Sequence, residues 1–533
     1  MNAERLLAHN EQIGDALDAI VRLRRFILDL AVRGKLVPQD AGDEPVPKRY
    51  LNELGASDLP ANWRVLNFGK FCDIEGGNQP PKSQFIDEPR EGYVQLFQIR
   101  DLGERRVPTY IPIKSARSLS KEGDILIGRY GASVGKVFWA QTGAYNVAMA
   151  KFIWPHDAFI PNFAFLLLKS DFLQGPLAKA TRSAQAGFNK GDLASIDFPL
   201  PPLAEQHRIV AKVDELMGLC DRLEAARGSR EAVRDRLAAA SLARLNAPDP
   251  ETFVADARFV LDALPALTTR HDQIKQLRQT ILNLAVRGKL VPQDAKDEPA
   301  SELLKRIGAQ TNHRDFDAEH ELPTSWAWAL IEDCFAVSGG MQKTPARTPR
   351  ANAFPYLGVG NVYRGRLELA NVKKFELAAG ELERFRLEPE DILVVEGNGS
   401  ASEIGRCAVW HGEIENCVHQ NHLIRCRPKE LQLTAYAALY MNSPDGMAEM
   451  KRLAITSAGL FSLSVGKIRK IPFPLPPLAE QHRIVAKVDE LLALCDRLEA
   501  SLTSTTATRR RLLDALLAEA LAPAEERELE AAE

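Results

Sequence analysis

Apolar residues recur at helical spacing in two parts of the chain. In the first long stretch they step by four and three positions, which is the spacing of a helix whose apolar seam packs against another helix. Pro201 and Pro202 precede this seam, at the point where the first turn of a helix needs no donated N–H. The pattern therefore predicts a long helix that begins just after Pro202. Its seam consists of Ile209, Val213, Leu216, Cys220 and Leu223, and resumes at Val233, Leu237 and Ala240.

The same helix is encoded again near the end of the chain. Residues 198–225, FPLPPLAEQHRIVAKVDELMGLCDRLEA, recur at 473–500 with 26 of 28 residues identical. A second block, residues 23–45, recurs at 277–299 with four substitutions. The chain is therefore one unit written twice. The seam of the second long helix contains Ile484, Val488, Leu491 and Leu498.

The shorter repeated block also carries a helical seam, and this seam ends at a glycine. Gly34 and Gly288 follow the last turn, where glycine is favoured because it readily adopts the left-handed backbone conformation. Each half of the chain thus reads as helix, globular block, helix. The seam residues are Ile13, Leu17, Ile20, Ile27 and Ala31 in the first copy and Ile274, Leu277, Ile281 and Leu284 in the second.

The globular blocks between the repeats have diverged and have mixed patterns. The offset between copies grows from 254 residues at RGKLVPQD to 275 at FPLPPLAEQ, so the insertions fall inside these blocks. We interpret the chain as a fixed frame that carries two exchangeable modules. The predicted fold is α+β: two mixed α/β domains separated by long antiparallel coiled-coil helices, with a pseudo-two-fold internal repeat. Strand-like runs lie at 93–99, 124–127, 151–154, 391–395 and 422–426, and helical stretches at 162–173 and 434–442.

Charge is distributed unevenly along the chain. The 68 Lys and Arg residues and 71 Asp and Glu residues give a net charge of -3. Residues 60–197 carry +4 and residues 323–472 carry +2, which leaves -9 on the rest of the chain. Positive charge in the variable blocks favours heads that bind a polyanion, although so small an excess is weak evidence by itself.

Two glycine-rich loops in each block are the candidate binding elements. Glutamine can pair with an adenine edge, and Lys or Arg can bind phosphate or guanine. A plain surface turn explains the first loop equally well, and the second, which is not a P-loop, is either a phosphate-contacting turn or a structural hairpin. The candidate DNA-binding residues are Gln79, Lys82, Arg129 and Lys136 in the first block and Gln342, Lys343, Arg347, Arg350 and Arg406 in the second.

Sequence motifs for catalysis or metal binding are missing. The cluster Cys407, His411, Cys417, His419, His422 and Cys426 matches no standard zinc spacing, so we predict buried thiols and surface imidazoles there. No methyltransferase tetrapeptide, glycine-rich cofactor loop, nuclease carboxylate-lysine cluster or Ser-His-Asp signature occurs. We expect a non-catalytic reader without a cofactor or metal of its own.

The cellular location is predicted from what the chain lacks. It has no run of about 18 apolar residues and no basic start followed by an apolar stretch. Seven cysteines in 533 residues do not make a disulfide framework. We expect a cytoplasmic protein with reduced thiols and no membrane partner.

The duplicated stretch PLPPLAEQHRIVAKVDEL, which follows each diverged block, resembles the conserved helical region of specificity subunits of type I restriction-modification systems. The resemblance covers essentially the whole chain. It implies two target recognition domains, each of which reads one half of a bipartite double-stranded DNA site, and helices whose length sets the unread gap. The implied segments are an N-terminal helical region (1–45), a first recognition domain (46–197), a central helical spacer (198–299), a second recognition domain (300–472) and a C-terminal helical region (473–533).

The resemblance also implies a larger complex. Two modification subunits dock on the helices and methylate adenine N6 with S-adenosylmethionine, and restriction subunits, which are motor-nucleases, use ATP and Mg. These cofactors would be bound by the partners and none by this chain. Because the two heads differ, the recognised site should be asymmetric.

Two alternatives remain open at this point. A specificity subunit of a related system that cuts on both sides of its site would have the same architecture, and only its partner genes or cleavage products would distinguish it. A helical adaptor whose heads bind protein belongs to a different class. Equal affinity for duplexes of every sequence would favour that adaptor over a DNA reader.

Overall fold

The computed structural model describes residues 16, 18–50, 59–102, 107–180, 187–246, 251–309, 322–400, 403–457 and 460–521. The chain divides into two compact units, residues 1–230 with 506–533 and residues 231–505. Each unit contains one globular block, and the first unit has segments of all three helical regions whereas the second has segments of the central and C-terminal ones. The proposed seam residues Ile13 and Leu17 lie outside the described residues. Within those ranges, no helix is long and apolar enough to cross a membrane.

Helices and strands alternate through both blocks, and two helices of 44 residues follow them. The helices are α1 (Ala19–Val32), α2 (Phe68–Phe71), α3 (Pro161–Lys169), α4 (Asp171–Ala180), α5 (Lys190–Leu193), α6 (Leu203–Asn246), α7 (Phe253–Leu267), α8 (His271–Val286), α9 (Ala300–Arg306), α10 (Ile331–Cys334), α11 (Glu381–Phe385), α12 (Thr434–Asn442), α13 (Pro444–Leu453), α14 (Val465–Arg469) and α15 (Leu478–Leu521).

The strands of the first block are β1 (Arg64–Asn67), β2 (Asp73–Gly76), β3 (Tyr93–Phe97), β4 (Tyr110–Pro112), β5 (Leu119–Ser120), β6 (Ile125–Gly128), β7 (Val137–Trp139), β8 (Gly143–Tyr145), β9 (Met149–Ile153) and β10 (Asp197–Leu200). Those of the second block are β11 (Ala327–Leu330), β12 (Phe335–Gly339), β13 (Ala353–Leu357), β14 (Val362–Tyr363), β15 (Arg366–Leu367), β16 (Lys373–Glu376), β17 (Asp391–Val395), β18 (Gly397–Asn398), β19 (Cys407–Trp410), β20 (Val418–His419), β21 (Leu423–Pro428), β22 (Ile455–Ser457), β23 (Leu460–Ser462) and β24 (Pro472–Leu475).

The two blocks share the topology of their central sheets despite their different sequences. An antiparallel sheet has the order β2-β9-β6-β7 in the first block and β12-β21-β17-β19 in the second. Beside it, β3 pairs in parallel with β8, and β13 pairs in parallel with β20. The antiparallel partners β4 and β16 extend these second sheets. The predicted α+β fold and the internal repeat are therefore confirmed.

The core of each block continues onto the long helix that follows it. Ile209 and Val213 of α6 are 0% and 1% exposed, and they belong to the same buried cluster as the aromatic core of the first block. Ile484 and Val488 of α15 are 0% and 2% exposed in the corresponding cluster of the second block. Leu216, Leu491 and Leu498 are partly buried against these clusters. The first part of each predicted seam is thus buried against its own block.

Helices of the repeated regions pack antiparallel within each unit. In the first unit Arg24 of α1 donates to Asp221 and Glu224 of α6 at 2.6 and 2.7 Å. Arg227, farther along α6, donates to the carbonyl oxygen of Ala16, which precedes α1. The residue numbers rise along α6 while those of their partners near α1 fall, so the two helices run in opposite directions. The second unit repeats the pairing, where Arg278 of α8 donates to Asp496 and Glu499 of α15 at 2.6 and 3.0 Å.

Each long helix contributes its two parts to different units. The last part of α15 places Leu513 and Leu517 in a buried cluster with Phe26 and Leu30 of α1 in the first unit. The last part of α6 places Ala238 and Leu245 in a buried cluster of the second unit, together with residues of α7 and α8. The first and last parts of α6 and of α15 therefore pack in different environments.

The seam departs from its predicted register in the middle of α6. Leu223 is 51% exposed and Val233 is 55% exposed, whereas Ala238 and Leu245 are buried. Ala240 is exposed as well. A straight helix has 3.6 residues per turn, so a strict seven-residue repeat drifts around its surface over many turns. The apolar stripe has consequently moved by the end of the helix.

The helix in each copy of the shorter repeated block ends just before the glycine, as the sequence predicts. Gly34 has φ +68°, and a Cβ there would lie 2.3 Å from Cγ of Pro60. Gly288 has φ +67°, and a Cβ there would lie 2.5 Å from Cγ of Pro323. Both the left-handed backbone and the close approach of proline require glycine at this position.

A polar joint connects this turn to the start of the long helix. In the first copy the joint consists of Gln39, Asp43, Glu205 and Arg208. Gln39 Nε2 donates to Glu205 Oε1 at 2.7 Å, and Arg208 donates to both oxygens of Asp43 at 2.9 and 2.6 Å. Burial raises the pKa of Glu205, whose side chain lies at the base of the block. The second copy forms the same joint from Gln293, Asp297, Glu480 and Arg483.

Replacing Asp43 and Asp297 with Asn is expected to weaken the loss of stability in acid. The hydrogen bonds from Arg208 and Arg483 hold the pKa of both carboxyls below the ordinary value of 3.8. A carboxyl with a lowered folded-state pKa contributes stability above its unfolded-state pKa, and this contribution disappears as the pH falls through the folded-state value. As the pH falls below about 3.8, the ordinary value of a free carboxyl, the free energy of unfolding should therefore fall more steeply in the wild type. Urea denaturation measures this difference, and equal slopes for the double variant and the wild type would contradict it.

Candidate nucleic-acid interface

The first glycine-rich loop crosses the end of the sheet β2-β9-β6-β7 in the first block. A Cβ on Gly77 would lie 2.0 Å from the carbonyl oxygen of Asn146, so only glycine fits between the loop and that backbone. The N–H of Gly77 donates to the carbonyl of Met149 at 3.0 Å. The loop then carries Gln79 and Lys82 to the surface, where both are exposed.

Neighbouring loops converge on this segment. Asn78 donates from Nδ2 to the carbonyl of Ser115 at 3.1 Å and accepts at Oδ1 from the N–H of Arg117 at 3.2 Å. Ser118 donates to the carbonyl of Gly76 at 2.9 Å. We call residues 76–82, 113–118 and 128–136 the loop edge of the first block. The structure therefore brings both predicted glycine-rich loops of this block to one edge of the sheet.

The second glycine-rich loop of the first block is a hairpin. Strands β6 and β7 pair antiparallel on either side of a 3-10 turn at Gly131–Ser133. Arg129 precedes the turn, donates from Nε to the carbonyl of Phe188 at 2.9 Å and lies over the ring of Tyr130 at 5.2 Å. Lys136 follows the turn and is exposed. The backbone of this loop is therefore a structural hairpin, one of the two alternatives left open by the sequence. Arg129 and Lys136 place two cationic side chains at the loop edge.

The second block forms the same crossing. A Cβ on Gly340 would lie 2.4 Å from the carbonyl oxygens of both His419 and Gln420. The N–H of Met341 donates to His419 at 2.8 Å, and Asn421 donates back to Met341 at 2.7 Å. We call residues 339–343, 396–400, 403–406 and 419–422 the loop edge of the second block. Gln342 and Lys343 are exposed on it.

Two predicted contact residues of the second block are already bound within it. Arg347 donates from Nη1 and Nη2 to the two carboxylate oxygens of Glu381, each at 2.8 Å, and this pairing lowers the pKa of Glu381 to about 2. Arg406 donates to the carbonyl of Val359 at 3.1 Å and lies over the ring of Tyr363. Arg350 is exposed, and its backbone N–H donates to the carboxylate of Glu376 at 2.7 Å. A DNA contact by any of these arginines remains a prediction.

Sequence reasoning overlooked several polar residues at the loop edges. Lys114 and Arg117 are exposed beside the first glycine-rich loop, and Tyr130 is 43% exposed beside Arg129. In the second block Gln420 and Asn421 lie next to Met341. A basic pair after β4 was a usable signal, because charged residues at a strand end are common in binding loops. Tyr130 lies within the second glycine-rich loop itself, whereas Gln420 and Asn421 become neighbours of Met341 only through the sheet.

The cysteine and histidine cluster is only partly as predicted. Cys407, Cys417 and Cys426 are buried, and burial raises the pKa of Cys407 and Cys417 to about 12. His419, however, is also fully buried, so the prediction of a surface imidazole is wrong there, because His419 lies on β20, packed beneath the crossing loop. Burial lowers the pKa of His419 to about 3. In the described part of the chain no group of three or more His, Cys, Asp or Glu residues is placed to hold a metal ion.

Replacing Gly340 with Ala is expected to destabilise the second block. The added Cβ would meet two backbone carbonyls, which cannot move aside as a flexible side chain could. Overpacking of this kind costs about 1–3 kcal/mol. Chemical denaturation should show that loss for Gly340→Ala and little change for the control Gly360→Ala, where a Cβ meets nothing within 4 Å. Equal stabilities of the two variants would contradict the prediction.

Comparison with known proteins identifies the family. A family model described as the type I restriction modification DNA specificity domain matches residues 60–230 and 326–505. The type I restriction enzyme EcoEI specificity subunit of Escherichia coli is 26% identical, over 95% of this chain and 94% of that protein. The EcoAI specificity subunit of Escherichia coli is 25% identical, over 94% and 93%.

A solved structure supports the fold. A chain from a structure of the complex assembly and conformational transition of the type I R-M system aligns with a TM-score of 0.50 at 19% identity, over 87% of this chain and 98% of that one. The family model, in turn, matches both blocks and more than half of the residues. The chain therefore belongs to the type I restriction-modification DNA specificity family.

Proposed function

We propose that this protein is the DNA specificity subunit of a type I restriction-modification complex. Each block acts as a target recognition domain and reads one half of an asymmetric bipartite site in double-stranded DNA. The observation that carries the proposal is that two blocks with matching central sheets carry corresponding loops, which share Gln and Lys on the first glycine-rich loop and differ in sequence on the second. Such a pair of heads would select two different short sequences.

The exposed residues of the loop edges divide by the chemistry they offer. Gln79 and Gln342 follow the crossing glycines in both blocks, and glutamine can form two hydrogen bonds to an adenine edge. Lys82 and Lys343 are exposed cations on the same loops and suit the phosphate backbone, which carries no sequence information directly. In this proposal, glutamines contribute to specificity and lysines to affinity.

The helical regions would hold the two domains and bind the partner proteins. We propose the segments 1–45, 198–299 and 473–533 as this frame, with 46–197 and 300–472 as the recognition domains. Two modification subunits, which carry S-adenosylmethionine, would dock on the frame. Restriction subunits would add ATP- and Mg-dependent translocation and cleavage. The chain itself would be non-catalytic and would bind none of these cofactors.

Mapping of methylated adenines tests the proposed function. Cells that express this protein together with its modification subunits should show one asymmetric bipartite motif with a fixed gap. The purified complex should bind that motif at least about 1,000-fold more tightly than a duplex of scrambled sequence. Equal affinity for both duplexes, with no bipartite mark in the genome, would contradict the proposal.

Lysine and glutamine variants separate affinity from specificity. Lys82→Ala and Lys343→Ala should weaken binding to specific and scrambled duplexes alike and should each lower the slope of log K against log salt by about 1. Gln79→Ala and Gln342→Ala should leave that slope unchanged and relax selection at one position by about 1–3 kcal/mol. Binding titrations over a range of salt concentrations measure both quantities. A glutamine variant with a changed slope and unchanged selection would reverse the assignment.

A further inference from the structure

One position of the loop edge carries opposite charge in the two blocks. Strand pairing defines the equivalence, since Leu126 of β6 is opposite Lys151 and Leu393 of β17 is opposite Arg425. Three residues beyond Leu126, the N–H of Arg129 donates to the carbonyl of Ala148 at 2.8 Å. Three residues beyond Leu393, the N–H of Glu396 donates to the carbonyl of His422 at 3.0 Å. Arg129 and Glu396 therefore occupy the same place in the two sheets.

A second backbone feature supports this equivalence. Tyr130 forms an antiparallel bridge with Gly187, and Gly397 pairs antiparallel with Ser462. These pairs follow Arg129 and Glu396 directly, so the chain leaves both strands in the same direction. The residue after each bridge partner is bonded to the charged residue. In the first block Phe188 accepts from Arg129 Nε, and in the second block the N–H of Leu463 donates to the carbonyl of Glu396 at 2.7 Å.

The side chains at this position are prepared for different partners. In the first block Nε of Arg129 donates to the carbonyl of Phe188, Nη1 lies beside Gly76, and the backbone partner Ala148 adds no functional group. In the second block the backbone partner is His422, whose Nδ1 lies 2.9 Å from Glu396 Oε2. The side chains of Glu396 and His422 are 29% and 57% exposed. The imidazole holds one carboxylate oxygen, and no other described residue binds the second one.

Electrostatics restrict what an exposed carboxylate can do on a DNA-binding surface. The phosphate backbone repels it, so it favours binding only where it accepts a hydrogen bond from a base. In the major groove a carboxylate accepts from the N4 amino group of cytosine, whereas arginine donates two hydrogen bonds to O6 and N7 of guanine. One position thus offers complementary readout of a G·C pair in the two blocks.

We propose that Glu396 is a specificity-determining residue that accepts a hydrogen bond from the amino group of a cytosine in the second half-site. Arg129 contacts a guanine from the equivalent place in the first half-site. His422 is a positioning residue that orients the Glu396 carboxylate. This inference rests on the proposed function, since it assigns a base to one residue of the same DNA-reading surface.

Variants at the two equivalent positions provide the test. After methylation mapping has defined the site, the full complex with its modification subunits is titrated with duplexes that carry each of the four base pairs at every position of both half-sites. Glu396→Ala should lose about 5- to 150-fold discrimination at one G·C pair of the second half-site and leave all other positions unchanged. Arg129→Ala is the matched control and should lose discrimination at one G·C pair of the first half-site only.

The role of His422 has its own readout. His422→Ala should reduce discrimination at the same pair as Glu396→Ala, because the carboxylate loses its orientation. His422→Asn should restore it, since the Asn amide nitrogen can occupy the place of Nδ1 and donate to the carboxylate. Loss of discrimination in both variants, or in neither, would overturn the positioning role.

The outcomes separate this inference from the proposed function. If the wild-type complex shows no sequence preference, the proposed function itself is contradicted. The wild-type complex could instead read a bipartite site while the Glu396→Ala variant retains discrimination at every position of the second half-site. That result would overturn this inference and leave the proposed function intact. Loss of discrimination at an A·T pair instead would overturn the assignment of cytosine. Thermal unfolding of each variant should match the wild type, because the backbone at residue 396 is held through its own N–H and carbonyl.

Discussion

Replacing residues 46–197 with the corresponding block of another family member is expected to change one half of the methylated motif and leave the other half intact. The polar joint of the first copy makes this exchange possible. Its four side chains, Gln39, Asp43, Glu205 and Arg208, all lie outside the exchanged block. The bonds between Gln39 and Glu205 and between Arg208 and Asp43 can therefore form with either block in place, while the bond from Asn62 to Glu205 at 3.4 Å would depend on the incoming block. The native site should lose methylation, and a hybrid site should gain it.

Packing sets the condition under which the exchange succeeds. The buried cluster of the first block includes Ile209 and Val213 of α6 and Ile27 of α1, so the incoming block must present an apolar surface to the same helices. The family model covers this block and the start of α6 together in residues 60–230, which favours a shared interface. Genome-wide mapping of methylated adenines is the measurement, with the exchange of residues 300–472 as the reciprocal control. A change in both halves of the motif after one exchange would contradict independent reading.

The sequence predicted the elements whose pattern is long and repeated. The seams at Ile209 and Ile484, the glycine stop at Gly34 and the strand at Asp391–Val395 all agree with the structure. Helix α7 and the ladders of β1 with β10 and β11 with β24 were not predicted. Proline lacks an N–H and argues against a strand, yet each of these ladders has only two strands, so every strand has an unpaired edge at which proline is tolerated.

The loop edges were predicted in outline and only partly in detail. Glycine-rich loops can be identified from local sequence, because they interrupt strands at corresponding places in both blocks. The partners of their side chains cannot, since Arg347 and Glu381 are 34 residues apart and Arg406 and Val359 are 47 residues apart. Glu396 was overlooked for a different reason. A search for cationic DNA contacts passes over a carboxylate, and only the strand register reveals that it stands in the place of Arg129.

Lengthening both long helices by seven residues is expected to widen the unread gap of the DNA site by about three base pairs. Helices α6 and α15 each pass from one compact unit to the other, after Arg230 and after Thr505. Seven residues add about 10.5 Å to a helix. B-DNA advances about 34 Å in about ten base pairs, so this length corresponds to about three of them.

The size and position of the insertion follow from the packing. Seven residues make almost two full turns at 3.6 residues per turn, so a seven-residue insertion keeps each buried position on nearly the same side of the helix, whereas a five-residue insertion would turn it by about 140°. The insertion must also be made in both helices, because the last part of α15 packs on α1 in the first unit and the last part of α6 packs on α7 and α8 in the second. Insertion into one helix alone is the control and should abolish methylation of every site. If the double insertion instead leaves the native gap unchanged in the methylation map, the helices do not set the distance between the half-sites.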